Sequence, residues 1–347
     1  MIASLSIKNF RGFDKLVLQR LTKFNVLVGD SGSGKTALLE AIFLAGAANP
    51  EVYMRMRGWR GMGPQAQVSG TKRSFESLFR ELFFGFKKDT GANISFVDSN
   101  AGVRSVDITY QSNEQYSLDP DSSTFNPWIV DPVIFSWNLD GKLHSGRVEF
   151  QKDGRLGFLG FSQIYPVWLI SPAAIDSLPE HFSALSMRNA LDPVIQAVHD
   201  VFPSVISLSL ESIVGQVVIC ASVTDLPEKI PVGMISGGIN KFLWILLAIA
   251  SNENGIVMID ELENALYFKS LIPVMKSLVM FAELYHVQLL ATTHSQEALL
   301  AIASVMEERS EQFTLIRSSR DMGGKITMNS THGHKAISII EQGIEVR

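Results

Sequence analysis

The octapeptide GDSGSGKT, Gly29 to Thr36, stands between an apolar run, KFNVLV, and a run of good helix formers, ALLEAIFLAGA. Strand, glycine turn and helix in that succession argue for an α/β core. Glycines allow the backbone to take positive φ and to turn several N–H groups inward at a helix N-terminus, where they cradle phosphate oxygens. In the pattern G-x-x-x-x-G-K-[ST], the lysine reaches the terminal phosphates of a nucleoside triphosphate and the hydroxyl ligates Mg²⁺. Lys35 and Thr36 occupy those positions, and Gly29, Asp30, Ser31, Gly32, Ser33 and Gly34 form the expected cradle. The plain alternative is an ordinary glycine-rich turn between a strand and a helix.

A phosphate cradle hydrolyses nothing by itself. Metal-assisted hydrolysis also needs a carboxylate for the metal and a group that activates water. GIVMIDE supplies both types: four apolar residues, Ile256 to Ile259, carry Asp260 and Glu261 to the end of a buried strand, the edge where open α/β sheets bind ligands. Asp260 is the expected metal ligand and Glu261 the expected base, against the reading of an acidic pair that favours a helix N-terminus. MISGGINK places Ser236, Gly237 and Gly238 at a helix start, where they serve either an anion or only the helix cap. LLATTHS is a further apolar strand that ends in His294, a residue with either a structural role or a place at the same sheet edge.

The pattern along the chain suggests three segments. Residues 1–60 carry three strands (SLSIKNF, KLVLQRL, FNVLV), the glycine turn and a helix from Lys35 to about Ala48. Residues 61–165 hold the end of a Gly- and Arg-rich loop, an amphipathic helix (SFESLFRELFFGF) and short strands between 92 and 161, which read as a β-rich insertion. Residues 166–347 alternate apolar strands and helices, VVICASV and NKFLWILLAIAS among them, and include RNALDPVIQAVHDVF, a helical stretch that Pro193 is expected to interrupt. Runs such as GIVMID and VQLLATT, apolar at nearly every position, fit strands of a parallel sheet covered on both faces.

The longest apolar runs, such as FLWILLAIA, are too short to span a bilayer, and the expectation is a cytoplasmic protein with no membrane association. The single cysteine, Cys220, lies in an alternating apolar run and reads as a small core residue. With a net charge of −5, the composition does not favour a nucleic-acid partner. The segment YMRMRGWRG, with Arg55, Arg57 and Arg60 beside Tyr53 and Trp59, allows either a nucleic-acid patch or a self-paired loop.

GDSGSGKT, ISGGINK, GIVMIDE and ATTHS, in that order and preceded by IKNFRGF, resemble the ABC-type ATPase head of the RecF/SMC branch, most closely the small bacterial OLD-like ATPases of the AAA family. The likeness covers residues 1–48 and 230–300. It implies a P-loop NTPase fold with a β-rich insertion between the Walker A turn and the signature motif, with ATP and Mg²⁺ as cofactors. By the same resemblance Thr36 and Asp260 hold the metal, while Lys35, Glu261 and His294 are catalytic. Asn9 and Arg11 match a turn close to the nucleotide, and Ser236, Gly237 and Gly238 match the signature that completes the ATP site of a second subunit. It therefore implies a homodimer closed over ATP.

Departures from the family pattern are Ile235 and Ile239 beside the signature and Tyr267, where many OLD-like relatives carry His. Lys241 matches the basic position of the non-transporter branch, and Gln163 is the candidate for the Q-loop glutamine. Two functions follow from the resemblance: an ATP-driven switch that controls a separately encoded effector, such as a nuclease or toxin in phage defence, or a RecF-like DNA-repair ATPase. A small-molecule kinase would not need ISGG and ATTHS in this order, and GINKF lacks the Asp with which a GTPase reads guanine.

Overall fold

The computed structural model describes residues 1–47, 49–61, 72–99, 102–111, 131–150, 156–160, 165–171 and 178–343. Gln163 lies outside them.

The chain opens with β1 (Ile2–Phe10), β2 (Phe13–Gln19) and β3 (Phe24–Gly29), followed by α1 (Lys35–Ala47). β3 leaves the first two strands and enters a six-stranded sheet with β9 (Val167–Ile170), β13 (Ile256–Ile259), β14 (Gln288–Thr292), β15 (Phe313–Arg320) and β16 (Ile326–His332). Its order is β16-β15-β3-β14-β13-β9. Every pairing in it is parallel except β15 with β16. The all-apolar runs are explained by two cores. Along β13, Ile256 and Met258 face one core while Val257 and Ile259 face the other, so both faces of the strand must be hydrophobic.

One core holds α1 and the inner face of an antiparallel sheet. The other holds α7 (Gly237–Ala250), α8 (Leu271–Leu284), α9 (Gln296–Met306) and α10 (Gly333–Glu341). α1 is buried at every position except Thr36. A helix apolar all round belongs between two layers, and α1 contacts β3, β9 and β14 on one side and the antiparallel sheet on the other.

That antiparallel sheet runs β2-β1-β4-β5-β6-β7-β8, where β4 is Ala92–Asp98, β5 Gly102–Tyr110, β6 Val133–Leu139, β7 Lys142–Phe150 and β8 Leu156–Leu159. The β-rich segment is thus hydrogen-bonded onto the N-terminal strands, with Leu5 opposite Phe96 and Ile7 opposite Ile94.

Three local expectations are corrected. Residues Glu51–Trp59 form a helix, α2, and not a loop; Pro50 precedes its first turn, Glu51 favours its N-terminus, and Tyr53, Met54 and Met56 bury its inner side. SFESLFRELFFGF is helical only through Phe79, at the end of α3 (Lys72–Phe79), and then breaks into short 3₁₀ turns around Gly85, which has φ 58°. Pro193 interrupts no helix: α4 (Leu178–Met187) has already ended, and the proline occupies the first turn of α5 (Asp192–Val201), where its missing N–H costs nothing. VVICASV lies outside the parallel sheet. It is β11 (Gln216–Val223), paired antiparallel with β10 (Val205–Ile213) and β12 (Ile230–Pro231), and it buries Cys220.

Two arginines of the segment are spent on internal carboxylates. Arg57 Nη1 donates to Glu81 Oε1 at 2.8 Å and to the Leu78 carbonyl at 2.9 Å. Arg60 grips both oxygens of buried Glu40, at 2.9 and 2.7 Å, and Arg11 Nε lies 3.0 Å from the same carboxylate. Removing one member of a buried ion pair strands its partner's charge, at about 3–5 kcal/mol. Glu40→Gln is therefore expected to lower the unfolding free energy by about 3 kcal/mol, less than the full penalty because Arg60 can reach water. Urea titration of the full chain checks this, and an unchanged midpoint would refute it.

Among the described residues no helix is long and apolar enough to cross a membrane.

Candidate functional site

Strand register brings the separate motifs to one edge. Leu27 pairs with Thr292, and Ala291 with Ile259, so β3, β14 and β13 end close together at Gly29, Thr292 and Ile259, with Asp260 next in the chain. The glycine turn follows β3 with positive φ at Gly29 (134°), Gly32 (77°) and Gly34 (94°). Gly29 could be nothing else, since a Cβ there would fall 1.9 Å from the Ser318 carbonyl oxygen of β15. The Ser318 hydroxyl in turn donates to the Ser33 carbonyl, which anchors the turn from behind.

The cavity over this edge has a volume of about 540 Å³, and its lining includes Ser31, Gly32, Gly34, Lys35, Thr36, Asp260, Glu261 and His294. The ammonium of Lys35 donates to the Gly29 and Asp30 carbonyls at 2.7 and 2.8 Å. Burial holds its pKa below the usual lysine range, against the opposing pull of Asp260.

Asp260 is the hub. Thr36 Oγ1 donates to its Oδ2 at 2.9 Å, and Thr292 Oγ1 donates to its Oδ1 at 2.6 Å. Neighbouring ligands of an octahedral Mg²⁺ at 2.0–2.1 Å stand about 2.9 Å apart, so the Thr36 and Asp260 oxygens already have a separation that such an ion can use. A single carboxylate with a hydroxyl and phosphate oxygens is the ordinary Mg²⁺ set. The residues present fit both expected groups: a glycine cradle at a helix N-terminus for phosphates, and a paired hydroxyl and carboxylate for the metal.

Glu261 has a left-handed backbone, φ 50°, a conformation that costs a non-glycine residue about 1–2 kcal/mol. Its N–H donates to Thr292 Oγ1 at 2.8 Å. His294 is exposed at the end of β14, and its N–H donates to Glu263 Oε1 at 2.8 Å.

The N-terminal turn divides. Arg11 lines the cavity and is almost fully buried, and its Nη2 has no hydrogen-bond partner among the described residues. A buried, unspent donor at the rim suits a polar or anionic ligand. Asn9 does not line the cavity. Its amide donates to the Lys87 and Gly91 carbonyls and to Thr90 Oγ1, stapling β1 to the turn before β4.

Ser236, Gly237 and Gly238 are also absent from the lining. Ser236 caps α7 by accepting from the Gly238 N–H at 3.1 Å. A Cβ on Gly238 would fall 2.8 Å from the Ala265 carbonyl oxygen, so glycine lets the turn after Asp260 pack directly on this motif.

Several residues of the site carried no signal in the sequence. Thr292 was legible only as one letter of an apolar strand, although its position at the end of β14 gives it to Asp260. Glu40 lies one turn past Thr36 and Arg60 in the arginine segment, while Ser318 and Arg320 come from β15, far from any motif, and only tertiary packing assigns the four to the cavity or its wall.

The chain is similar to several known proteins. Residues 4–124 match the AAA domain family AAA_23. The chain is 23% identical over 343 residues to an "ATP/GTP phosphatase" of Helicobacter pylori, with 89% of each covered. Forty-five residues are 49% identical to the DNA replication and repair protein RecF of Idiomarina loihiensis, a match that covers 13% of each protein. In structure, the chain superposes on an SMC head bound to the C-winged helix domain of ScpA with a TM-score of 0.51 and 16% identity, covering 97% of this chain and 99% of that one. The fold is that of an ATPase head of the SMC and RecF type.

Proposed function

We propose that the chain binds ATP with Mg²⁺, hydrolyses it, and uses the cycle to pair with a second copy of itself and to act on a partner protein. It is an ATP-hydrolysing enzyme of the SMC and RecF type. The observation that carries the reading is the convergence on Asp260 of Thr36 from the Walker A helix and Thr292 from β14, with Glu261 beside it on the cavity wall.

Each residue then has a task. The cradle N–H groups and Lys35 bind the phosphates, for which the Lys35 ammonium must leave the Gly29 and Asp30 carbonyls. Thr36 and Asp260 hold Mg²⁺, which when bound withdraws charge from the phosphate oxygens. Glu261 takes the proton of the attacking water, His294 senses the terminal phosphate from the end of β14, and Arg11 directs its unspent donor to the nucleotide. Phosphate release from ATP by the purified chain tests this. Turnover that needs Mg²⁺ and stops with a chelator is expected, and turnover indifferent to the metal would refute it.

Ser236, Gly237 and Gly238 lie outside the cavity of their own chain, which suits a role in completing the site of another. Ser236→Arg should leave ATP binding by the monomer intact and abolish ATP-dependent dimerisation. Light scattering with and without ATP decides this, and normal dimer formation would reduce Ser236 to a helix cap.

For the partner, the effector reading, with a separately encoded nuclease or toxin in phage defence as in OLD-like systems, is preferred to DNA. Net charge is −5 and two arginines of the one basic segment are spent on Glu81 and Glu40. The RecF-like reading has its own support in the 45-residue match to RecF. It predicts duplex binding whose affinity falls steeply with salt, and a gel-shift series in salt separates the two.

A further inference from the structure

We propose that Lys241 is a positioning residue for hydrolysis: from the start of the second turn of α7 its ammonium holds the Glu261 carbonyl and thereby fixes the left-handed backbone that presents the Glu261 carboxylate to the cavity. The proposal rests on the ATPase reading above.

Lys241 is buried, and its Nζ donates to the Glu261 carbonyl at 2.5 Å, with the Asp260 carbonyl at 3.5 Å. Burying an ammonium is costly unless it is well bonded, and this one is spent on backbone carbonyls. The choice of acceptor matters. An ammonium on the Glu261 carboxylate would neutralise the group that must accept a proton, whereas one on the carbonyl leaves that carboxylate free.

The second half of the clamp is Thr292, which accepts the Glu261 N–H at 2.8 Å. Both backbone polar groups of Glu261 are therefore held, from α7 on one side and β14 on the other, at a residue whose φ of 50° is disfavoured for any side chain. Strain of this kind persists only where the surroundings over-determine it. Without Lys241 the carbonyl keeps only the Asn264 N–H of its own turn, at 3.0 Å, so the peptide can relax toward negative φ and the side chain leaves in a new direction. A shift of about 1 Å in a reacting group is enough to cost about 10²-fold in rate.

The clamp also joins two motifs. Lys241 lies in the helix capped by Ser236, and the turn that follows Glu261 packs on Gly238 through Ala265. A displacement of the α7 N-terminus is thereby transmitted to the Glu261 backbone by a direct bond.

The test is a double-mutant cycle on the full chain, with Mg²⁺ and ATP, read by single-turnover hydrolysis, nucleotide affinity and thermal melting. Lys241→Met keeps the length and apolar stem but removes the donor. It is expected to lower the hydrolysis rate by about 10- to 100-fold, with ATP affinity changed less than about threefold, and Lys241→Arg should recover most of the rate by restoring a donor. In a Glu261→Gln background the same Lys241→Met change should cost less than about twofold, because the carboxylate it positions is gone.

An unchanged rate in Lys241→Met would overturn the proposal. So would an equal loss in both backgrounds, or losses of affinity, melting temperature and rate together that Arg does not rescue, since those are the marks of a residue that only holds the helix in place. If Lys241→Met does not fold, Lys241→Leu, which also lacks a donor, takes its place in the cycle with the same expectations. Turnover by the wild type that Lys35→Ala leaves untouched would instead remove the ATPase reading, so the two failures are distinguishable.

Discussion

Glu261→Gln is expected to slow ATP hydrolysis by about 10²- to 10⁴-fold, the usual contribution of a general base, while ATP still binds. The substitution preserves size and hydrogen-bonding capacity, so the Lys241 and Thr292 bonds to the Glu261 backbone are untouched. What it removes is a carboxylate on the cavity wall that can take a proton from water without giving up a contact with Thr36. Asp260 is already engaged by two hydroxyls. Because binding survives and chemistry stalls, the variant should accumulate as an ATP-bound dimer, visible by size-exclusion chromatography with light scattering. Wild-type turnover in Glu261→Gln would return that residue to an acidic group at a strained turn.

Lys35→Ala should lose ATP binding and, with it, all measurable turnover. A charge-assisted hydrogen bond contributes about 1.5–3 kcal/mol, and a lysine that reaches two phosphates makes at least two, so the loss is about 3 kcal/mol or more, at least about 10²-fold in affinity. The residue also ties the turn to itself through the Gly29 and Asp30 carbonyls, and its removal loosens the cradle before any ligand arrives. Fluorescent-nucleotide titration reads the first effect directly. ATP affinity within about threefold of wild type would move the binding site elsewhere.

The motifs were legible because each is a local solution to a local problem. A phosphate cradle needs glycines at several closely spaced turn positions, and a buried strand that delivers a carboxylate to a sheet edge needs an uninterrupted apolar run before it. GDSGSGKT and GIVMIDE satisfy these demands within eight and seven residues, and both stand where their patterns put them. The helix at Glu51–Trp59 was missed for the opposite reason. Its arginines and glycine speak for a loop, and only Glu81 and Glu40, distant in the chain, make its polar side compatible with burial. VVICASV shows the limit of periodicity: a short apolar strand looks the same in a parallel sheet and in a separate hairpin, and its partner β10 decides which.

The sequence by itself determined that this chain has an α/β P-loop core and which residues are its candidates for phosphate and carboxylate chemistry, because those properties depend on backbone freedom and side-chain type over a few neighbouring positions. Only the tertiary structure decided that Thr292 and Thr36 converge on Asp260, that Arg11 and not Asn9 faces the cavity, that Ser236 stays outside it, and that Lys241 reaches the Glu261 carbonyl. Each of these joins segments far apart in the chain. Strand order and register set such encounters, through the burial of two cores at once, and no single segment contains that information.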